Sequence, residues 1–174
     1  MILEPYMESG PLAAFFLGIS SGFPFALIGA TLTTRLAQDG ISKSSVTAFA
    51  LTFLAYNFKP LWAPIVDSVS LPLVAKYGQR RSWLWFVSSL LICAIFALGL
   101  ADPRYTLTAV AISAVAVGVF GATLDIVIDA YRIELLKPSQ LGVGSGMSQY
   151  GWRIGAASAG AFALLIAQEY GWSV

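Results

Sequence analysis

Histidine is missing from these 174 residues. Its absence excludes His-ligated metal sites, Ser-His-Asp triads and histidine proton relays. Cysteine occurs once, as Cys93 within an apolar run, so neither an internal disulfide nor a zinc cluster can form. A lone cysteine in that setting behaves as a small apolar residue. Charge is scarce too: 11% of the residues are Asp, Glu, Lys or Arg, against about 25% in soluble domains. A chain so poor in charge cannot cover a water-facing surface. The net charge is +1 and the basic residues are scattered along the chain, which leaves no basic stripe to hold nucleic acid. There is no P-loop, no GxGxxG turn, no HExxH pair and no nucleophile elbow, so no cofactor, metal or enzymatic site is implied.

What remains is hydrophobic. Apolar residues make up 57% of the chain and the mean hydropathy is +0.77. A membrane-spanning helix needs about 20 mostly apolar residues. Five segments meet that need: about Leu12 to Leu36, Val46 to Val66, Ser82 to Ala101, Leu107 to Tyr131, and Val143 to Gln168. Turn chemistry separates them. Gln38-Asp39-Gly40 ends the first, with Ser42 as a cap for the second. Asp102-Pro103 ends the third, and Lys137-Pro138-Ser139 divides the fourth from the fifth. The longest break, Asp67 to Arg81, contains Pro72. The expected fold is therefore all-α, a polytopic transmembrane bundle of about five helices embedded in a lipid bilayer. The first run is expected to be retained. Glu4 and Glu8 precede it without a basic residue, and it exceeds the about 7–15 apolar residues of a signal peptide.

Basic residues in short loops set orientation. Lys76, Arg80, Arg81, Arg132 and Lys137 fall on one side, and Arg35, Lys43 and Arg104 on the other. The N-terminus is expected in the cytoplasm. Small residues four apart, which permit close helix contact in lipid, occur at Gly18 and Gly22, Gly118 and Ala122, Gly151 and Gly155, and Ala156 and Gly160. The glycines of 142–146 are expected at a flexible or close-packed helix start.

A charge within a span costs a few kcal/mol on insertion scales and by default marks function. Lys59 lies eight residues before Asp67, roughly 12 Å into the membrane. Pro60 and Pro64 follow it, so a kink with freed carbonyls is expected there. Lys59 could serve as a purely structural ion-pair partner or line a substrate or proton path. Asp125 and Asp129 share a helix face, with Arg132 three residues on. Asp125 is the deeper and the better proton-site candidate, whereas Asp129 and Arg132 suit an interfacial ion pair. Arg153 lies about ten residues into the fifth segment, suited either to an anionic substrate group or to neutralising Asp125 or Asp129. Arg35 is expected to snorkel at the end of the first helix. Trp83, Trp85 and Trp172 suit interfacial anchors. Tyr56, Trp62 and Trp152, near the buried charges, could stack on a substrate ring or serve ordinary packing.

Several stretches carry a family resemblance. Ala63-Pro64-Ile65-Val66-Asp67 and Gly78-Gln79-Arg80-Arg81 resemble the two ends of the signature loop of the major facilitator superfamily. Ser68 stands where a basic residue is usual, and about ten residues separate the two ends. The chain is more specifically similar to the AmpG-like muropeptide permeases and acetyl-CoA transporters. That similarity rests on 18–24 (Gly-Ile-Ser-Ser-Gly-Phe-Pro), 58–67, 78–83, 122–131 and 150–155, in the family's order across nearly the whole chain. The resemblance implies a secondary transporter of the bacterial inner membrane that imports anhydro-muropeptides with protons. It implies intramembrane roles for Lys59, Asp125, Asp129 and Arg153, and a gate loop built on Asp67, Gly78, Arg80 and Arg81. Five spans fall short of a half of about six helices, so the partner expected is a C-terminal half of the same transporter. A carrier of acetyl-CoA or another anionic metabolite is the alternative within the class. A short non-transporting membrane interaction protein is the alternative outside it.

Overall fold

A computed structural model describes residues 4–71 and 78–172. All regular structure among them is helical. Three helices are long and apolar enough to cross a membrane: Ser9–Gln38, Gln79–Leu100 and Leu107–Leu135. Pro72 and Lys76, counted above for the loop and for orientation, lie outside the described residues.

The two remaining expected spans differ from that simple form, each for a readable reason. The second, 43–68, is helical in pieces: Lys43–Ala48 and Leu54–Phe58 are α-helical, Phe49–Phe53 and Lys59–Leu61 are 3-10 turns, and Ala63–Ser68 is α-helical again. Pro60 and Pro64 remove two amide donors, and the break at Lys59–Leu61 falls where the kink was expected. The fifth, Leu141–Tyr170, is a continuous 30-residue helix. Its glycines, serines, Gln149 and Arg153 keep it below the apolarity of the other three. The first helix carries Pro24 inside it, followed by a π-turn at Leu27–Thr31. Ser42 caps the second span by accepting the Ser45 amide, 3.3 Å away.

The fourth helix is the axis of the bundle. It buries eleven residues where the third buries five. Val110, Ala114, Val117 and Val127 are fully covered. Around it, Ile28, Leu36, Val87 and Leu91 complete one apolar core. Outward-facing positions are apolar as well, with Trp85, Phe96, Leu100, Ile112 and Phe162 all exposed. In lipid that is the stable arrangement, because the helices satisfy their own backbone and present hydrocarbon outward.

The first and fifth helices meet backbone to backbone, without intervening side chains. A methyl group on Gly18 or Gly22 would stand 2.2 or 2.1 Å from the carbonyl oxygens of Ser148 and Trp152. One on Gly151 or Gly155 would stand 2.0 or 2.2 Å from those of Phe15 and Ile19. The two expected small-residue pairs thus interlock reciprocally. Gly118 also packs closely, against the Thr52 carbonyl. Gly160 faces open space, so the Ala156–Gly160 pair forms no such contact here. In the 142–146 stretch, Gly144 is close-packed on Leu136, while Gly142 and Gly146 are open.

Arg35 corrects an expectation. It does not snorkel; only 7% of it is exposed. Its Nη1 donates to the Leu98 carbonyl at 2.9 Å and its Nη2 to the Ala101 carbonyl at 2.7 Å. These are C-terminal carbonyls of the third helix that lack intrahelical partners. A guanidinium there satisfies them and opposes the negative end of the helix dipole.

Candidate functional site

Asp125 lies ten residues before Leu135 at the end of the fourth helix, roughly 15 Å from it along the axis. Its two carboxylate oxygens are both engaged. Ser21 of the first helix donates its hydroxyl to Oδ1 at 2.5 Å, and Lys59 of the second span donates to Oδ2. The break at Lys59–Leu61 turns Lys59 toward the fourth helix. Asp129, one turn along, is the second partner of Lys59 at 3.7 Å. Arg132 pairs with Asp129 at 3.2 Å. The result is a chain of groups, Ser21–Asp125–Lys59–Asp129–Arg132, in which two formal positive charges match two formal negative ones.

This chain of groups lines an open cavity of about 250 Å³. The first helix adds Gly18, and the fifth adds Ser148, Gln149 and Trp152. Side-chain exposure is 30% for Lys59 and 21% for Asp125. The ion pair is therefore reachable from the cavity rather than sealed in the core.

Arg153 does not join the cluster. It is exposed, does not line this cavity, and makes no ion pair among the described residues. The helical turn that points Gln149 and Trp152 inward turns Arg153 away. Tyr56 and Trp152 both pack on Phe25, with ring centroids at 5.2 and 5.3 Å. Trp62 donates its indole N–H to Thr123 Oγ1 at 3.1 Å. Of the three aromatics, Trp152 faces the cavity. Ser21, Ser148 and Gln149 were not singled out from sequence. The available signal was faint: a hydroxyl one turn from Gly18 in the first helix, and polar residues next to a glycine stripe.

The gate-loop candidates gather at one end of the bundle. Arg80 donates to Asp67 Oδ1 at 2.6 Å and to Glu134 Oε1 at 2.9 Å. It thereby ties the end of the second span to the end of the fourth helix. Arg81 donates to the Tyr131 hydroxyl at 3.3 Å. Gly78 has φ +92°, a backbone conformation that favours glycine, and it opens the third helix. Gln79 donates to the Asp67 carbonyl at 2.6 Å and Trp83 to the Val69 carbonyl at 2.8 Å.

Comparison with known proteins agrees with this architecture. The family model for the Major Facilitator Superfamily matches residues 14–174. A Rickettsia felis protein named "Putative transporter AmpG 4" is 36% identical over 157 residues, 90% of this chain and 38% of the relative. The anhydromuropeptide permease of Escherichia coli K12 is 36% identical over 171 residues, 98% of this chain and 34% of the relative. An uncharacterized protein of Haemophilus influenzae is 33% identical over 161 residues, 92% of this chain. The chain thus spans little more than a third of the length of the relatives it matches.

Proposed function

Because the chain belongs to the major facilitator superfamily, we propose that it forms the N-terminal part of a secondary transporter of about twelve helices, one that imports anhydro-muropeptides from cell-wall turnover together with protons. The protein lies in the bacterial inner membrane with its N-terminus in the cytoplasm. The observation that carries the reading is the Lys59–Asp125 ion pair open to a cavity between the first, second, fourth and fifth helices. A charge at that depth is expensive and by default marks function, and this pair opens onto a cavity lined by further polar side chains, Ser148 and Gln149 among them.

The chemistry follows from the partners. A proton added to Asp125 cancels its charge and weakens its hold on Lys59. Lys59 then has Asp129 as its remaining counter-ion, already 3.7 Å away. The cavity so loaded carries one extra positive charge, which favours a solute with an anionic group such as the peptide carboxylates of a muropeptide. Release of the solute and of the Asp125 proton on the other side of the membrane restores the original pair. Two halves rocking about the site would expose it alternately.

Uptake of labelled anhydro-muropeptide into vesicles carrying the native polypeptide, under an imposed pH gradient, tests this. Asp125→Asn is expected to lower gradient-driven uptake at least tenfold while solute exchange at equal pH persists. Undiminished gradient-driven uptake would remove the proton role of Asp125. Competition by acetyl-CoA, with none by unlabelled muropeptide, would move the substrate to the anionic metabolites instead.

A further inference from the structure

The cavity that holds Lys59 and Asp125 has two unlike walls. On the wall of the first, second and fourth helices every polar side chain has a partner. Ser21 and Lys59 donate to Asp125, and Asp129 pairs with Lys59 and Arg132. On the wall of the fifth helix none does. Ser148, Gln149 and Trp152 all line the cavity, and none of the three makes a hydrogen bond or ion pair among the described residues. Ser148 is only 7% exposed, yet its hydroxyl is not sealed off, and the cavity is what it opens onto. Gln149 and Trp152 are more open.

The three lie seven to eleven residues past Leu141, roughly 10 to 17 Å along the helix from its start. At that depth a polar group is costly unless something polar meets it. Gly151 and Gly155, docked on the Phe15 and Ile19 carbonyls, fix the rotation that turns these groups inward. What they offer is neutral. The Gln149 amide supplies two donors and an acceptor, Ser148 a hydroxyl, and Trp152 one donor beside an apolar ring. No charged residue of the fifth helix lines the cavity, so this wall suits an uncharged amide or hydroxyl on a ring. The cavity, about 250 Å³, is smaller than the about 300–1,000 Å³ that enclose a whole drug-sized ligand. It has room for one ring of a larger solute.

We propose that Ser148, Gln149 and Trp152 select the solute by an N-acetylated sugar ring, with the Gln149 amide paired to the acetamido group. The opposite wall, with Lys59, takes the anionic end. This rests on the reading of the cavity as the solute site of a muropeptide carrier. It adds a division of labour: charge is handled on one wall, and the identity of the neutral part on the other.

Gln149→Leu tests it. Position 149 is exposed and leucine is as good a helix former as glutamine, so the fold should be kept. The native polypeptide is placed in vesicles, and exchange of labelled anhydro-muropeptide is followed at equal pH. Three unlabelled competitors are compared: the muropeptide, an analogue with hydroxyls in place of its N-acetyl groups, and one with its carboxylates amidated. In the wild type, loss of the N-acetyl groups is expected to weaken competition about tenfold, the scale of one hydrogen-bonded group. In Gln149→Leu the muropeptide should weaken by that factor and the hydroxyl analogue should stay unchanged, so the two compete equally. The penalty for amidation should be the same in both proteins. A variant that still discriminates against the hydroxyl analogue would overturn this proposal alone, and the fifth-helix wall would then serve hydration. Equal weakening of all three competitors would overturn it too, by making Gln149 a structural residue. A wild type inhibited by none of the three would remove the muropeptide reading, and this proposal with it.

Discussion

Lys59 has two carboxylates within reach and Asp125 has two donors, so removing one member of the cluster leaves a specific orphan. Lys59→Met strands Asp125 one turn from Asp129, which Arg132 still pairs, and the two carboxylates on one helix face then repel. Breaking a dry buried pair costs about 3–5 kcal/mol, and access to the cavity reduces that here to about 1–3 kcal/mol. The double substitution Lys59→Met with Asp125→Asn is expected to be closer to wild type than Lys59→Met alone, since no net charge is then stranded. Thermal unfolding of the two variants in nanodiscs checks the order, and the reverse order would mean that the pair contributes nothing as a pair. Ser21→Ala removes the donor on Asp125 Oδ1 without touching the ion pair. It is expected to lower gradient-driven uptake, because the carboxylate then keeps Lys59 as its one remaining donor among the described residues. Gradient-driven uptake identical to wild type would reduce Ser21 to packing.

At the scale of elements, the contact between the first and fifth helices depends on the lack of side chains at four glycines. Gly18→Ala or Gly151→Ala places a methyl group about 2 Å from a facing backbone carbonyl, which no rotamer change can relieve. The helices must separate, and a cost on the order of 1–3 kcal/mol is expected for each. Gly146→Ala, in open space on the same fifth helix, is expected to be neutral or slightly stabilising, since alanine favours helix by about 1 kcal/mol over glycine. Protease resistance of the purified protein separates these cases. Arg80 acts between elements rather than within one. Its Nε and Nη1 reach Glu134 and Asp67 separately, and a lysine ammonium cannot reproduce that fork. Arg80→Lys is expected to raise amide exchange at the ends of the second span and fourth helix while leaving the core protected. The stability change should stay below about 1 kcal/mol, because both carboxylates are half exposed and solvent screens such pairs.

For the molecule as a whole, the charged and the capped ends should lie on opposite membrane faces. Arg80, Arg81, Arg132 and Lys137 belong to one end, and the Arg35 cap and the Asp39–Arg104 pair, at 2.8 Å, to the other. With the N-terminus in the cytoplasm, Tyr105→Cys in a Cys93→Ser background should react with a membrane-impermeant maleimide in intact cells. Tyr105 is 87% exposed, so access from outside is the only variable. Labelling only after the cells are opened would invert the topology.

Low charge and long apolar runs were enough to establish from sequence a helical membrane protein, because a lipid solvent leaves a backbone few other solutions. The helix-face spacing of Asp125 and Asp129, the kink after Lys59 and the two glycine pairs were legible for the same reason: each is a local consequence of helical period or of proline. The partner of each charge was not. Asp125 meets Ser21 and Lys59 across 104 and 66 residues of chain. Arg35 turns from an expected surface residue into the cap of a helix 63 residues away. Arg153, as deep in its helix as Lys59 in its own, faces outward because of its position around the axis, which depends on how Gly151 and Gly155 dock against Phe15 and Ile19. Sequence determines which groups are costly to bury; the rotation and approach of the helices, set by packing over the whole bundle, decide which of them meet.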